Sequence, residues 1–386
     1  MADEHRKVTH RSFGERIGNS VSAALFGVCI FIGAFPLLFW NEGRAVQAMQ
    51  SLAEGQDLTV SVTAERLVPA NEGRLVHLSG HAFTGAPLLD PVFGVEVLDS
   101  LRLRRSVESY EWREVRSTRT TEQLGGGEGS ETIYKYYPGW HREHLDSGSF
   151  RFPEGHYNPP PVYQDRNIVA ADARLGAYRL PEALLEGLSG LEPLRPGQSL
   201  TELPRDFVLL DGVFYKGDPR APEVGDERVS FAAVPEGEVT VVARQSGDGL
   251  APFRTSQDQD IFFIYPGKLT AAEVFDLQRE QVGITTWMLR GLGFAMMVFG
   301  LCLMVGPLSV LASILPFLGA LVGRLFGLSA LALAVPLWLG TIALAWIVYR
   351  PVIALLLIGL GLGVAALLFY LRHQRLAASG ALPAKA

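Results

Sequence analysis

The first long apolar segment of the chain is a run of twenty uncharged residues, from Val21 to Trp40. At a rise of about 1.5 Å per residue, a helix of this length spans roughly 30 Å, the thickness of the hydrocarbon core of a bilayer. Trp40 ends the run, and an indole ring favours the headgroup layer. The pattern predicts a transmembrane helix over residues 21–40.

A second apolar region covers residues 287–371. Its only charged residues are three arginines: Arg290, Arg324 and Arg350. Runs of sufficient length predict three further crossings, at about 289–306, 327–349 and 351–371. With the first helix, the chain is expected to cross the membrane about four times.

Residues 308–322 are also apolar, but Pro316 interrupts them. We interpret this segment as interfacial or re-entrant, which leaves four crossings. A full crossing is the alternative, and it would move the C-terminal residues to the opposite side of the membrane.

Residues 41–286 separate the two apolar regions and carry most of the charge. Period-two alternation rich in Val, Phe, Tyr and Thr predicts strands at 58–62, 74–78, 100–107, 107–117, 131–137, 207–215, 227–234, 238–245 and 260–265. Helical periodicity is restricted to 44–56, 180–189 and 269–283. The fold class is therefore α+β: a large β-rich domain inserted between the first and second transmembrane helices.

Basic residues predict the orientation in the membrane. Arg6, Lys7, Arg11 and Arg16 precede the first apolar run and only Arg44 closely follows it, so residues 1–20 are expected to be cytoplasmic. Residues 41–286 are then periplasmic or lumenal, and residues 372–386 form a second cytoplasmic tail. A signal peptide is the competing interpretation, but its apolar region would be shorter, about 7–15 residues, with small residues at a cleavage site.

Composition narrows the function classes further. The net charge of −6 comes without a basic stripe interleaved with aromatic residues, so nucleic acid binding is not predicted. Both cysteines, Cys29 and Cys302, lie in apolar runs, so the β-rich domain has no disulfide. Lysine is scarce, with five residues among 34 basic ones, a usage that suggests a bacterial genome.

No catalytic motif stands out in the sequence. It contains no phosphate-binding Walker loop, nucleophile elbow or HExxH motif. Gly125-Gly126-Gly127 is interpreted as a hairpin tip. His141, His144 and His156 are the nearest set to a metal site, but they lie in a loop pattern without cysteine ligands. We therefore predict no catalytic residue, cofactor or metal, and a metal-dependent periplasmic enzyme is the least favoured alternative.

The predicted crossings contain no Asp, Glu, Lys or His. Proton-coupled transport usually needs such groups inside the membrane, whereas a passive channel does not, so a channel or channel-regulatory subunit stays open as an alternative. Small residues recur at Gly319, Gly323 and Gly327, a spacing that allows close helix packing within one chain or between chains.

Several segments occur in a recognisable order. The tetrapeptide Asn41-Glu42-Gly43-Arg44 returns as Asn71-Glu72-Gly73-Arg74; Pro222, Gly225 and Asp226 follow in one loop, and Tyr349-Arg350-Pro351 connects the last two crossings. This order resembles the LUMA, or transmembrane protein 43, family of membrane proteins, over about residues 20–371. The two tetrapeptides are either a duplicated structural element, with glycine at a turn and arginine paired with its glutamate, or a coincidence of local turn chemistry.

The resemblance implies a four-pass protein with one large lumenal or periplasmic domain and cytoplasmic termini. It also implies a non-enzymatic scaffold that self-associates, with membrane lipids, further copies and other membrane proteins as partners. Animal members are known from the endoplasmic reticulum and inner nuclear membrane; a bacterial member would lie in the inner membrane. The resemblance supplies no catalytic residue.

Overall fold

The computed structural model describes residues 3–123, 127–195, 205–314 and 316–356, together with residues 359, 363, 366, 370, 371 and 374; residues 316–324 are described by their backbone only. Within these ranges the α-helices are α1 (Phe13–Leu58), α2 (Glu182–Glu186), α3 (Ala271–Ala312) and α4 (Pro316–Tyr349). Three helices are long and apolar enough to cross a membrane: α1, α3 and the Leu325–Tyr349 part of α4. Residues 351–356 and the described positions between 359 and 371 are also helical, and the rest of the predicted crossing at 351–371 lies outside the described residues.

Strands occupy about half of the chain between α1 and α3, and one further strand, β1, precedes α1, which confirms the predicted β-rich domain. They are β1 (Asp3–Arg11), β2 (Val60–Ser61), β3 (Leu75–Phe83), β4 (Leu88–Asp90), β5 (Val95–Val97), β6 (Ser100–Glu122), β7 (Glu128–His141), β8 (Arg166–Val169), β9 (Arg174–Leu175), β10 (Tyr178–Arg179), β11 (Glu192–Pro193), β12 (Phe207–Leu210), β13 (Val213–Lys216), β14 (Glu227–Pro235), β15 (Gly237–Ser246), β16 (Gly249–Ala251), β17 (Phe253–Arg254), β18 (Asp260–Ile261) and β19 (Phe263–Pro266).

The chain folds as two compact units. The first, the β unit, comprises Met1–His10, Gln50–Thr121 and Gly129–Glu280. The second, the helical unit, comprises Arg11–Met49, Glu122–Glu128 and Gln281–Ala386.

Two large sheets build the β unit. In the described strands, one sheet has the order β1-β7-β6-β14-β13-β12, with β11 on β14 and β8 on β6; the other has the order β19-β15-β16-β10-β9-β3-β2, with β15 also pairing β3. Alternate residues of β14 and of β6 face inward, and the sheets share one hydrophobic core that includes Leu78 of β3, Leu103 of β6 and Val241 of β15. Packing of both sheets on one core explains why so many predicted strands alternate.

The helical unit packs α1 antiparallel to α3 through glycine. A Cβ added at Gly27 would lie 2.8 Å from the carbonyl oxygen of Gly300, and a Cβ at Gly300 would lie 2.8 Å from that of Gly27. A Cβ at Gly293 would lie 2.6 Å from Cγ of Leu38. The two helices therefore touch backbone to backbone, and Ala334 of α4 joins Leu38 in the same apolar cluster.

The helix boundaries differ from the predicted ones in two places. Residues 41–44 do not end the first helix, and residues 44–56 are not a separate helix, because α1 is continuous to Leu58. Residues 308–322 are divided between two helices, because α3 continues to Ala312 and α4 begins at Pro316. Their interfacial or re-entrant placement stays a prediction. Apolar composition marks the membrane-embedded part of a helix, whereas backbone hydrogen bonding continues as long as neighbouring elements support it.

Residues 3–11, predicted as part of a polar cytoplasmic tail, form β1 at the edge of the first sheet. Side chains hold β1 on its neighbours: Lys135 on β7 pairs with Glu4 at 3.3 Å, and the ring of His5 stacks on Phe152 at a centroid distance of 4.6 Å. The cytoplasmic location of residues 1–20 stays a prediction. The pairing of β1 with β7 supports the opposite account, in which residues 3–11 lie on the same side of the membrane as the β-rich domain.

Candidate functional site

The tetrapeptide Asn41-Glu42-Gly43-Arg44 lies inside α1, next to the end of the apolar run. Successive residues of a helix point about 100° apart, so these four positions face nearly the whole circumference of α1. In the helical unit their contacts reach both α3 and α4. We refer to these four residues with their partners Thr286, Arg290, Trp346 and Tyr349 as the interhelical cluster.

A buried ion pair forms the centre of the cluster. Glu42 is fully buried, and its carboxylate accepts two hydrogen bonds from the guanidinium of Arg290, from Nε to Oε1 at 2.6 Å and from Nη2 to Oε2 at 2.8 Å. The indole Nε1 of Trp346 donates a third to Oε2 at 2.8 Å. A bidentate arginine with a further donor satisfies a carboxylate removed from water, so the pair connects α1, α3 and α4.

Aromatic rings surround Arg290. Its guanidinium lies 4.7 Å from the ring centroid of Trp287, and Nε1 of Trp338 donates to the carbonyl of Arg290 at 3.0 Å. Only 11% of the Arg290 side chain is exposed. The indole ring of Trp287 attracts the guanidinium through a cation–π interaction, which partly replaces the hydration that Arg290 loses on burial.

Asn41 and Arg44 connect α1 to α3 at a second point. Nδ2 of Asn41 donates to the carbonyl of Thr286 at 3.1 Å, while Nη2 of Arg44 donates to Oδ1 of Asn41 at 3.2 Å and to Oγ1 of Thr286 at 3.3 Å. Nε of Arg44 is buried and has no hydrogen-bond partner among the described residues.

Gly43 leaves room for a tyrosine of α4. A Cβ at this position would lie 2.7 Å from Cζ of Tyr349. The tyrosine ring also packs against Phe39, with centroids 5.1 Å apart. The guanidinium of the next residue, Arg350, lies 5.9 Å from the ring centroid of Trp346. The Arg350 side chain forms no hydrogen bond or ion pair within the described part of the chain.

Beside the cluster, the helical unit contains an apolar cavity of about 620 Å³. It is lined by Phe35, Pro36, Phe39, Trp40, Pro336, Leu337, Gly340, Thr341, Leu344 and Tyr349. Trp40 and Leu344 are more than half exposed, so one side of the cavity opens outward.

The carboxylate of Glu42 is engaged by other groups of the protein. The oxygens of Glu42 are both occupied by donors, and the cluster brings no serine, cysteine or histidine beside it. A general base needs free access to a substrate proton, which this carboxylate lacks.

The structure brings together two predicted motifs that are 300 residues apart in the chain, Asn41-Glu42-Gly43-Arg44 and Tyr349-Arg350. Thr286, Trp338 and Trp346 were not predicted, and Arg290 was noted only as a charge in an apolar region. A signal for Arg290 existed, because a lone arginine in a transmembrane segment needs a partner and Glu42 lies next to the end of the other apolar run.

Comparison with known proteins identifies the family. The family model for transmembrane protein 43 matches residues 109–351. Transmembrane protein 43 of Homo sapiens is 36% identical over 378 residues, covering 93% of each chain. The chain belongs to the transmembrane protein 43 family. The homologue from Drosophila melanogaster is 34% identical over 361 residues, covering 89% of this chain and 93% of its own. No solved structure matches.

Membership in the transmembrane protein 43 family makes this chain a membrane protein, in agreement with its three apolar helices. The second tetrapeptide is built differently from the first. Gly73 has φ of +74°, the carboxylate of Glu72 accepts from the backbone N–H of Gly247 at 3.0 Å, and Arg74 donates to Asn71 at 3.5 Å. It is a turn leading into β3 in the β unit, so the two copies are not a duplicated element.

The loop with Pro222, Gly225 and Asp226 is a third predicted motif, and it positions β14 beside β6. Gly225 has φ of +102°, and its N–H donates to the carbonyl of Tyr110 at 2.9 Å. The N–H of Tyr110 in turn donates to the carbonyl of Asp226 at 2.8 Å. The loop therefore fixes strand register within the β unit.

Other predicted positions do not join the cluster. A Cβ at Gly327 would meet no atom within 4 Å, and Gly319 and Gly323 lie where only the backbone is described. Packing through these glycines between copies stays a prediction.

Two of the three histidines considered for a metal site, His144 and His156, have structural partners. Nδ1 of His144 contacts Oε1 of Glu111 at 2.7 Å, and His156 stacks on Tyr136 with centroids 3.8 Å apart. In the described ranges, no group of three His, Cys, Asp or Glu side chains is arranged to hold a metal ion.

A larger open cavity of about 960 Å³ in the β unit is lined by β3 and the start of α3. It includes His77, whose ring nitrogens contact Oγ of Ser61 at 3.2 Å and the carbonyl of Leu269 at 2.9 Å. Since both nitrogens of this histidine are engaged, the cavity does not offer it as a free base.

Proposed function

We propose that this protein is a non-enzymatic membrane scaffold, which self-associates and holds its β-rich domain close to the bilayer. The interhelical cluster carries the proposal. The carboxylate of Glu42 is used in bonds to Arg290 of α3 and Trp346 of α4, so it stabilises the packing of α1 against both helices.

Two long helices support the second half of the proposal. Both α1 and α3 contribute residues to the helical unit and to the β unit, so the β-rich domain is attached to apolar helices at both of its ends. A domain attached twice has less freedom to move away from the membrane than one attached by a single linker.

Self-association is tested by the mass of the purified full chain in nanodiscs, measured by light scattering at several dilutions. The scaffold proposal predicts particles that contain at least two copies. A single copy per nanodisc at every concentration would contradict it.

A passive channel is the second candidate. Ala34, Leu38, Met297 and Ala334 are fully buried and pack together at the centre of the described bundle. A conducting path would therefore have to form between copies. Ion flux into liposomes that contain the protein would favour the channel, and its absence at high protein density would count against it.

A further inference from the structure

The interhelical cluster, taken together with the neighbouring Arg350, has more positive than negative side chains. Three arginines, Arg44, Arg290 and Arg350, are associated with one carboxylate, Glu42. Arg290 takes both oxygens of Glu42, and neither Arg44 nor Arg350 has an acidic partner within 4.0 Å among the described residues. Cations next to a hydrocarbon environment are costly without a counter-charge, so the cluster lacks about two negative charges.

The two arginines without an acidic partner do not line the apolar cavity of about 620 Å³ themselves, but each is near a lining residue in the chain. Arg44 is one helical turn beyond Trp40, and residues four apart share a face of a helix. Arg350 directly follows Tyr349, which also lines the cavity. Both guanidinium groups are half-buried, and Nε of Arg44 lacks an acceptor.

The lining indicates what kind of molecule enters. The cavity is bordered almost entirely by aromatic and aliphatic side chains, and its volume is in the range of small-molecule sites, about 300–1,000 Å³. Its outward side carries Trp40 and Leu344, which in a bilayer would face lipid. A molecule with an anionic head and an apolar tail would fit this site, because its head would pair with the arginines and its tail would fill the cavity.

We propose that Arg44 and Arg350 bind the phosphate of an anionic phospholipid, one acyl chain of which fills the cavity between α1 and α4. The phosphate accepts hydrogen bonds from both guanidinium groups, and arginine matches phosphate geometry in a bidentate way. A zwitterionic lipid would bring a second cation into a region that is already positive, so it should bind less tightly. This proposal does not depend on self-association.

Native mass spectrometry of the full chain in detergent tests the proposal. Phosphatidylglycerol and phosphatidylcholine with identical acyl chains are added separately, and lipid-bound species are counted. We expect phosphatidylglycerol to bind about tenfold more tightly, because phosphatidylcholine adds its choline cation to a region that is already positive. Equal binding of the two lipids would overturn the proposal.

Two kinds of variant separate the head from the tail. R44Q and R350Q should each weaken phosphatidylglycerol binding about tenfold, with R116Q as the control because Arg116 is exposed on β6. G340F should weaken binding by filling the cavity without changing charge, and G327F is its matched control on α4, where a Cβ meets nothing within 4 Å.

The pattern across the variants decides the outcome. Loss in R44Q, R350Q and G340F, with both controls unchanged and circular dichroism preserved, supports the proposed site. Loss in the arginine variants alone would indicate headgroup adsorption at a charged surface and overturn it. Inorganic phosphate that binds as tightly as phosphatidylglycerol would also overturn it, because the cavity would then contribute nothing to binding.

Discussion

At the scale of single residues, Gly43 is required by its contact with Tyr349. In a helix, alanine is favoured over glycine by about 1 kcal/mol, so G43A would be stabilising in open space. Here the added Cβ would lie 2.7 Å from the tyrosine ring, and overpacking typically costs about 1–3 kcal/mol. We predict that G43A lowers the thermal stability of the purified protein in detergent.

The matched control for Gly43 is G18A on the same helix, because a Cβ at Gly18 meets nothing within 4 Å. G18A should be neutral or stabilising. In a Y349A background, G43A should become neutral or stabilising as well. If G43A is equally harmful with and without the tyrosine ring, the contact is not its cause.

Tyr136 allows a pH-dependent prediction for the β unit. Burial raises the pKa of Tyr136 to about 12, and its hydrogen bond to Oε2 of Glu114, at 2.6 Å, adds to the effect. Because an unfolded tyrosine ionises near pH 10, the folded state is stabilised relative to the unfolded state below that pH and loses this advantage as pH rises through about 12.

Wild-type stability should therefore fall more steeply between pH 10 and pH 12 than that of Y136F, measured by denaturant unfolding. Y157F is the control, since Tyr157 is largely exposed. A tyrosinate absorbance titration gives an independent reading. An ordinary pKa near 10 for Tyr136 would contradict the buried hydrogen bond.

The sequence allowed some of these residues to be predicted. The order of the motifs along the chain selected their residues, and Tyr349-Arg350-Pro351 is recognisable from its place between two apolar runs. The contact of Gly43 with Tyr349 could not be predicted, because helix rotation about its own axis is set by packing. For the same reason, the partner of Arg290 was not identified before the helices were placed.

At the scale of elements, the close approach of α1 and α3 depends on Gly27 and Gly300. A regular glycine spacing is easy to find in the sequence, and it occurs at Gly319, Gly323 and Gly327. Gly27 and Gly300 each stand in a run of larger residues, and only the antiparallel pairing of the two helices shows that they coincide.

We predict that G300A destabilises the helical unit by about 2–3 kcal/mol, because its Cβ would meet the carbonyl oxygen of Gly27, a backbone atom that cannot rotate away. G306A on the same helix, with no atom within 4 Å, should have no such cost. Denaturation in detergent checks both variants, and equal stability of the two would contradict the backbone contact.

Strand patterns illustrate how far local periodicity extends. The adjacent patterns at 100–107 and 107–117 are one strand, β6, because alternation continues through residue 107. The single pattern at 207–215 is instead a hairpin, in which Asp211 and Gly212 both have positive φ, at 52° and 82°. An Asp-Gly pair is a strong turn signal, so this boundary could have been predicted.

At the scale of the whole molecule, the location of residues 3–11 has two competing accounts. β1 precedes α1 and pairs with β7, which follows α1, whereas one complete crossing by α1 would separate them. If β1 stayed paired with β7, α1 could not cross completely unless charged residues entered the hydrocarbon, at a cost of about 2.5–3.5 kcal/mol each. β1 is an edge strand that pairs on one side only, so we expect its pairing to contribute less than this cost. We therefore expect β1 to leave β7 when α1 crosses a bilayer.

Thiol labelling in sealed vesicles tests this expectation. H5C and G127C are compared in a background in which Cys29 and Cys302 are replaced by serine. We predict that a membrane-impermeant reagent reaches the two positions from opposite sides. Labelling of both from one side would show that β1 stays on the sheet and that the charge rule fails for this chain.

The central claim is that Glu42 and Arg290 form a coupled pair that locks three apolar helices. Removing one partner of a buried ion pair leaves the other uncompensated and costs about 3–5 kcal/mol. D57N on α1 is a control, because Asp57 is exposed. It should change stability by less than about 0.5 kcal/mol.

The most direct test is a double-mutant cycle of E42Q and R290Q in the full chain, measured by equilibrium unfolding in detergent. We predict that the loss of stability in the double variant is smaller than the sum of the two single losses by at least about 2 kcal/mol. The reason is that the second substitution removes the unpaired charge that the first one leaves. Additive losses, within about 0.5 kcal/mol, would contradict the account, since the two residues would then stabilise the molecule independently.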